Sequence, residues 1–161
     1  MKRYTCLLLC SWLMFSGCSD SSSRPTDLPP LFPCTVLVIQ GGVPLAEAFV
    51  EFHPEGDSQK YWAAAYTDAN GKATMLTYGY PGVPVGKYKI LVSKIIEDNL
   101  VNQTNGSVGR VLVSANRYAL VNSLHSNPET TPHEIEITSK RTPPITVDVG
   151  EPVREKRGSA M

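Results

Sequence analysis

Between Cys34 and Gly150 the dominant period of the apolar residues is two and not 3.6, which points to extended structure with one face of most strands turned inward. Residues 87–94 show it most cleanly, with Tyr88, Ile90 and Val92 on one face and Lys87, Lys89 and Ser93 on the other. Residues 48–53 set Ala48, Val50 and Phe52 against Phe49, Glu51 and His53. Residues 60–67 continue with Trp62, Ala64 and Tyr66 in register, and 72–78 return after the tight turn Asp68-Ala69-Asn70-Gly71. Residues 133–138 place Ile135 and Ile137 inward, and 145–149 add Ile145, Val147 and Val149. Residues 34–40 are a continuous β-branched and apolar run stopped by Gly41-Gly42, which predicts a strand buried on both faces.

Seven short strands divided by Gly, Pro and Asn turns predict an all-β fold, a seven-stranded antiparallel β-sandwich. The links are short, which favours hairpins and antiparallel pairing. The 117 residues from 34 to 150 are enough to bury a self-sufficient core. Helical amphipathicity is confined to 118–125. Residues 97–132, 36 in number and rich in asparagine, read as a long insertion without regular structure, in which 108–114 could add an edge strand.

The ends differ from this middle. Lys2 and Arg3 precede twelve almost wholly apolar residues, 4–15, and the small residues Ser16 and Gly17 then lead to Cys18. That order is expected of a secretory signal peptide over 1–17, too short to cross a bilayer as a helix. Phe15-Ser16-Gly17-Cys18 resembles the lipobox of bacterial lipoproteins, although the family usually has Leu where Phe15 stands. The resemblance implies that Cys18 becomes the acylated (palmitate-bearing) first residue of the mature chain. Ser19 at the next position resembles the outer-membrane sorting signal of didermic bacteria. Each buried CH₂ contributes about 0.8 kcal/mol, so several acyl chains anchor a domain firmly. Cleavage removes Cys6 and Cys10 and commits Cys18 to lipid, leaving Cys34 without an intrachain partner. Losing Lys2 and Arg3 leaves 13 basic against 15 acidic side chains, a balance of −2. Residues 18–33, rich in Ser and Pro, read as a flexible tether, and 151–161, charged and poor in apolar residues, as a flexible tail that frays.

The run from Gly42 through Pro54, with Gly42-Val43-Pro44-Leu45-Ala46 leading into Phe49-Val50-Glu51-Phe52, resembles the opening hairpin of carboxypeptidase regulatory-like domains. Thr67-Asp68-Ala69-Asn70-Gly71-Lys72-Ala73 resembles their central turn, and Gly82-Val83-Pro84-Val85-Gly86-Lys87-Tyr88 their approach to the next strand. Thr131-Pro132 is similar to their closing segment. The resemblance implies a transthyretin-like (prealbumin-like) sandwich over 34–150 and an accessory module without catalytic residues. The asparagine-rich insertion departs from the family pattern.

Chemistry-bearing patterns are sparse. With 15 basic and 15 acidic side chains the chain has no cationic surplus for phosphates, which excludes nucleic acid as a partner. Asp68 and Asn70 resemble a fragment of a calcium loop, but Asp and Asn favour turns because they bond their own backbone, and the turn reading prevails. His53, His125 and His133 have no chelating spacing, no Gly-x-Ser-x-Gly elbow occurs, and Cys34 is expected to be a buried, inert thiol. No catalytic residue, metal ligand or cofactor is therefore assigned. Tyr61, Tyr78 and Tyr80, with Trp62 and Tyr66 close in sequence, form a binding surface if they are exposed together, but the reading that prevails is that alternate members are core and the rest are scattered on the surface. The leading expectation is a non-enzymatic envelope lipoprotein, attached to the membrane through Cys18 and displaying a β-sandwich interaction or scaffold module to an envelope protein or polysaccharide. The alternatives are a carbohydrate-binding module using the exposed aromatics, and a hydrolase built on the 97–132 loop with His125 or His133. Asn102 and Asn105 match the glycosylation sequon, which a bacterial lipoprotein would leave bare.

Overall fold

The computed structural model describes residues 24–56, 60–98, 116–140 and 142–157. Among them the chain is all-β. In order the strands are β1 (Thr35–Gln40), β2 (Val43–Pro44), β3 (Phe49–Pro54), β4 (Ala63–Tyr66), β5 (Lys72–Thr74), β6 (Leu76–Thr77) and β7 (Tyr80–Pro81). β8 (Gly86–Ser93), β9 (Ile95–Asp98), β10 (Asn116–Ala119), β11 (Glu134–Ile137), β12 (Ile145–Asp148) and β13 (Glu155–Arg157) follow, with a 3-10 turn at Ser123–Ser126. Each of the seven expected segments carries a strand, but the count among the described residues is thirteen.

The largest sheet is antiparallel throughout, in the order β11-β8-β3-β4-β6-β7. A second sheet is built on β1, with β12 along one edge and both β2 and β5 along the other. The β1–β12 pair is parallel, with Val36 opposite Ile145 and Val38 opposite Val147. This corrects the expectation of purely antiparallel pairing: the two strands are far apart in sequence, so no hairpin constrains their direction. The third sheet, β13-β10-β9, is antiparallel.

The core lies between the first two sheets in a sandwich-like arrangement. Val36, Val38, Ala73 and Val147 come from one side; Val50, Phe52, Tyr88, Ile90, Val92 and Ile137 come from the other. The alternation read in β3, β8 and β12 holds, with Val50, Phe52, Ile90, Val92 and Val147 all buried. β1 differs from its expectation. Val36, Val38 and Gln40 are buried, while Thr35, Leu37 and Ile39 are only half-buried, because one sheet face alone meets the core. Tyr88 is wholly buried. Its hydroxyl donates to the Pro84 carbonyl at 3.1 Å, four residues back, as in the tyrosine corners of β-sandwiches. Burial pushes its pKa up to about 12.

Two local devices join the sheets. The segment 72–77 changes sheet at Met75: β5 pairs with β1, β6 pairs with β4, and the Met75 side chain fills the space between them. The Met75 amide donates to the Cys34 carbonyl at 3.1 Å, while its carbonyl accepts from Gly82 at 2.9 Å, so the switch leaves no backbone group unpaired. In the preceding turn, Asp68 Oδ1 accepts from the amides of Asn70 and Lys72, both at 2.9 Å. Gly71 has φ +72°, and a Cβ there would lie 2.6 Å from the Val38 carbonyl oxygen, so this position requires glycine.

Three expectations about the periphery are corrected. Residues 24–33 do not stand away as a tether: Leu28 is buried, and Phe32 and Val83 exchange two backbone hydrogen bonds of 2.9 Å. Apolar Leu28 and Phe32 among the prolines are the reason, since both gain by leaving water. The tail does not fray through 151–157, because β13 pairs with β10, Tyr118 opposite Lys156. The amphipathic stretch 118–125 is not a helix. It is the end of β10 followed by the 3-10 turn, which Asn122 caps by accepting from the Leu124 amide at 2.9 Å. Residues 108–114, Cys18, Asn102 and Asn105 lie outside the described residues.

Candidate functional site

Strand alternation decides where the site lies. Ala63 faces the core from β4, so Trp62, Ala64 and Tyr66 share the outer face of the six-stranded sheet. Register then brings neighbours onto that face: Phe49 opposite Tyr66, Glu51 opposite Ala64, and Ala64 opposite Leu76. Tyr66 is 70% exposed, Tyr78 50%, Trp62 48% and Leu76 37%, so large apolar side chains stay in solvent side by side. A surface of this kind marks an interaction site more often than a lone exposed residue does.

The aromatics form two platforms. At one end the Phe49 and Tyr66 rings are 5.1 Å apart and tilted. At the other, the Tyr78 ring meets Tyr61 at 6.4 Å and Trp62 at 6.5 Å, edge-on to both. Trp62 and Tyr66 are four residues apart on an extended chain, so the platforms are about 13 Å from one another. Ala64 lies between them, and Glu51 and Leu76 flank it.

The second platform is held firmly although it is exposed. The Tyr78 hydroxyl donates to the Lys60 carbonyl at 2.8 Å, and the Tyr61 hydroxyl donates to the Asp27 carbonyl at 2.7 Å. Lys60 forms a 2.7 Å ion pair with Asp27, which lowers the Asp27 pKa and raises that of Lys60. Tyr78 occupies a β6–β7 hairpin tip with φ +51°, followed by Gly79 at +84°. A two-residue turn with positive φ at both positions normally takes Asn-Gly, and a tyrosine there stores strain of about 1–2 kcal/mol. Such strain is concentrated at functional positions.

Next to Trp62 is a shallow cavity of about 450 Å³ lined by Glu51, His53, Pro54 and the indole. His53 Nδ1 lies 3.7 Å from Glu51 Oε1, so a carboxylate and an imidazole stand beside an aromatic wall. Farther along the same sheet, Lys89 pairs with Glu134 and lies 3.8 Å from Glu55. The structure brings Tyr61, itself half-buried, and exposed Tyr78 together with Trp62, while Tyr80 lies half-buried on β7. Trp62 becomes legible once the Ala63 side is known to face the core.

A second constellation was not foreseen. His125 in the 3-10 turn and His133 before β11 stack with centroids 5.2 Å apart and planes 18° from parallel. His125 is 8% exposed, and neither its Nδ1 nor His133 Nε2 finds a hydrogen-bond partner among the described residues. Desolvation lowers both pKa values. The neighbouring His133 lowers His125 further, and Asp148 opposes the shift in each. Sequence spacing could not reveal the pair, because Thr131 sets it. The Thr131 hydroxyl donates to the Ile90 carbonyl at 2.8 Å, drawing 125–133 back against β8. An open cavity of about 770 Å³ lies nearby, lined by Asn122, Asn127, Thr130, Lys156 and their neighbours, with neither imidazole in its wall.

His53, His125 and His133 do not converge, and no cluster of three or more metal-ligating side chains occurs among the described residues. Cys34 is buried and free, with its pKa pushed up to about 11 by desolvation, which disfavours the reactive thiolate. Among the described residues no helix is long and apolar enough to cross a membrane. Comparison with protein-family models, with curated proteins and with solved structures finds no match to this chain.

Proposed function

We propose that this chain is a lipid-anchored module of the bacterial cell envelope, attached through acylated Cys18 at the outer membrane, which acts by binding and not by catalysis. Its working surface is the outer face of the six-stranded sheet. The observation that carries this reading is the row of exposed aromatics, Trp62, Tyr66 and Tyr78, all three in ring contacts and Tyr78 also held by a hydroxyl bond. A transthyretin-like, carboxypeptidase regulatory-like origin rests on the sequence resemblance, and it is supported by the tight turn at Asp68–Gly71, which carries the chain from β4 in one sheet to β5 in the other. A hydrolytic reading gains the close imidazole pair, but the two unpartnered nitrogens are shut away from solvent and open into no described cavity.

Intact mass of membrane-extracted protein beside a Cys18→Ala variant tests the anchor. The expected mature chain begins at Cys18 and carries acyl chains that the variant lacks. An unacylated, soluble product unaffected by the substitution overturns the anchor. Rebinding of purified protein to washed envelope fragments tests the surface: Trp62→Ala should reduce it, and unchanged rebinding removes the aromatic face from the function.

A further inference from the structure

The two aromatic platforms and the carboxylate beside them point to a ligand class, and this step rests on the outer sheet face being the working surface. We propose that the face binds a neutral polysaccharide chain, with one sugar ring stacked on Trp62, another on Tyr66, and Glu51 accepting hydrogen bonds from hydroxyls between them.

A pyranose ring offers an apolar C–H face and a rim of hydroxyl groups. It therefore suits a site in which an aromatic ring supplies the floor and a nearby carboxylate supplies the acceptor. Both elements occur here at one place: the cavity beside Trp62 also holds Glu51 and His53. The platforms are about 13 Å apart, farther than a single ring can bridge, so the geometry favours a chain over a monosaccharide. Ala64 keeps the floor between them low, and Glu51 is its register partner on β3.

Charge narrows the class. Glu51 is the carboxylate that lines the cavity with the indole, and Lys60 at that end is already engaged by Asp27. Lys89, one strand further, is taken up by Glu134 and Glu55. An acidic sugar laid over Glu51 would meet repulsion, and among the described residues Lys60 and Lys89 on that side are already paired with carboxylates, whereas a neutral chain meets no such repulsion. Rigidity favours binding too. Tyr78 and Tyr61 are tied by hydroxyl bonds to Lys60 and Asp27, so little side-chain freedom is lost when a ligand arrives.

The test is affinity electrophoresis of the purified full chain through gels containing mixed-linkage β-glucan, xyloglucan or arabinoxylan, with alginate as the acidic comparison. The inference expects retardation in at least one neutral gel and none in alginate. Trp62→Ala and Tyr66→Ala should each weaken that binding about tenfold or more, the loss usual for a central aromatic contact. Leu124→Ala, an exposed apolar change off this sheet, should leave it intact. Trp62 and Tyr66 are exposed, so the variants retain the core; unchanged urea midpoints verify this. Mobility unchanged in all three neutral gels overturns the inference, as does equal retardation in alginate. If the neutral gels fail while Trp62→Ala still lowers rebinding to envelope fragments, the sheet face binds a protein, and only the polysaccharide assignment falls. If that rebinding is also unaffected, the working surface itself falls.

Discussion

At the residue scale the stacked histidines have the clearest consequence. Both are held below their ordinary pKa of about 6.5, because burial penalises the imidazolium. The unfolded chain takes up protons near that pH and the folded chain resists them, so the unfolded state binds more protons and stability rises with pH. The stabilisation is complete above the ordinary value and is lost as pH falls through it toward the lower folded values. Urea midpoints at pH 7.5, 6.5 and 5.5 should therefore decline, and a His125→Phe/His133→Phe double variant should flatten that decline. An equal slope in the variant removes the pair from the pH response. The carboxylates of Asp27 and Glu134, lowered by hydrogen bonds from Lys60 and Lys89, act in a separate and more acidic window. Neither histidine was legible as part of a pair, since eight positions separate them in sequence and their meeting depends on how Thr131 folds the segment back.

At the scale of elements, the seven segments with an alternating or apolar signal were legible as strands, and their partners were not. The inward sets of β3, β8 and β12 follow from alternation alone, because a one-residue slip would expose every apolar side chain. Which edge each strand joins depends on contacts that alternation does not encode. The change of sheet at Met75 and the parallel β1–β12 pair are both of this kind. The C-terminal strand shows it most plainly. Glu155, Lys156 and Arg157 are all exposed and carry no apolar signal, yet they cover one edge of β10, where Val153 also donates to Leu120 at 3.3 Å. The Arg154 guanidinium lies 4.4 Å from the Tyr118 ring centroid, adding a cation–π contact. Removing residues 151–161 should cost about 1–2 kcal/mol, from the lost strand pairing, and quicken hydrogen exchange at the β10 amides. Exchange that stays as slow as in the full chain would show β13 to be dispensable.

For the whole molecule, the connection between anchor and sheet sets the geometry. Asp27 is bound to Lys60 and Tyr61, at the edge of the second aromatic platform. Nine residues separate it from Cys18, which at full extension span about 30 Å. In the proposed lipid-anchored form, the aromatic face is thus confined to a shallow layer above the bilayer. A fluorophore attached at Leu76→Cys in protein on vesicles should transfer energy to acceptors on lipid headgroups. Inserting about ten Gly/Ser residues between Cys18 and Pro25 should weaken that transfer. Transfer indifferent to the insertion would mean that the face is not positioned by this tether.

Alternation and turn residues were sufficient for an all-β chain and for the inward side chains of β3, β8 and β12, because these depend on local chemistry within a few residues. The sandwich-like closure, the parallel edge and the docking of Leu28 and Phe32 depend on contacts between residues far apart in sequence, and the exposed row of Trp62, Tyr66 and Tyr78 on which face of β4 meets the core. That choice rests with small Ala63, wholly buried against residues from both sheets. A strand pattern offers two faces, and only packing selects the one that water keeps.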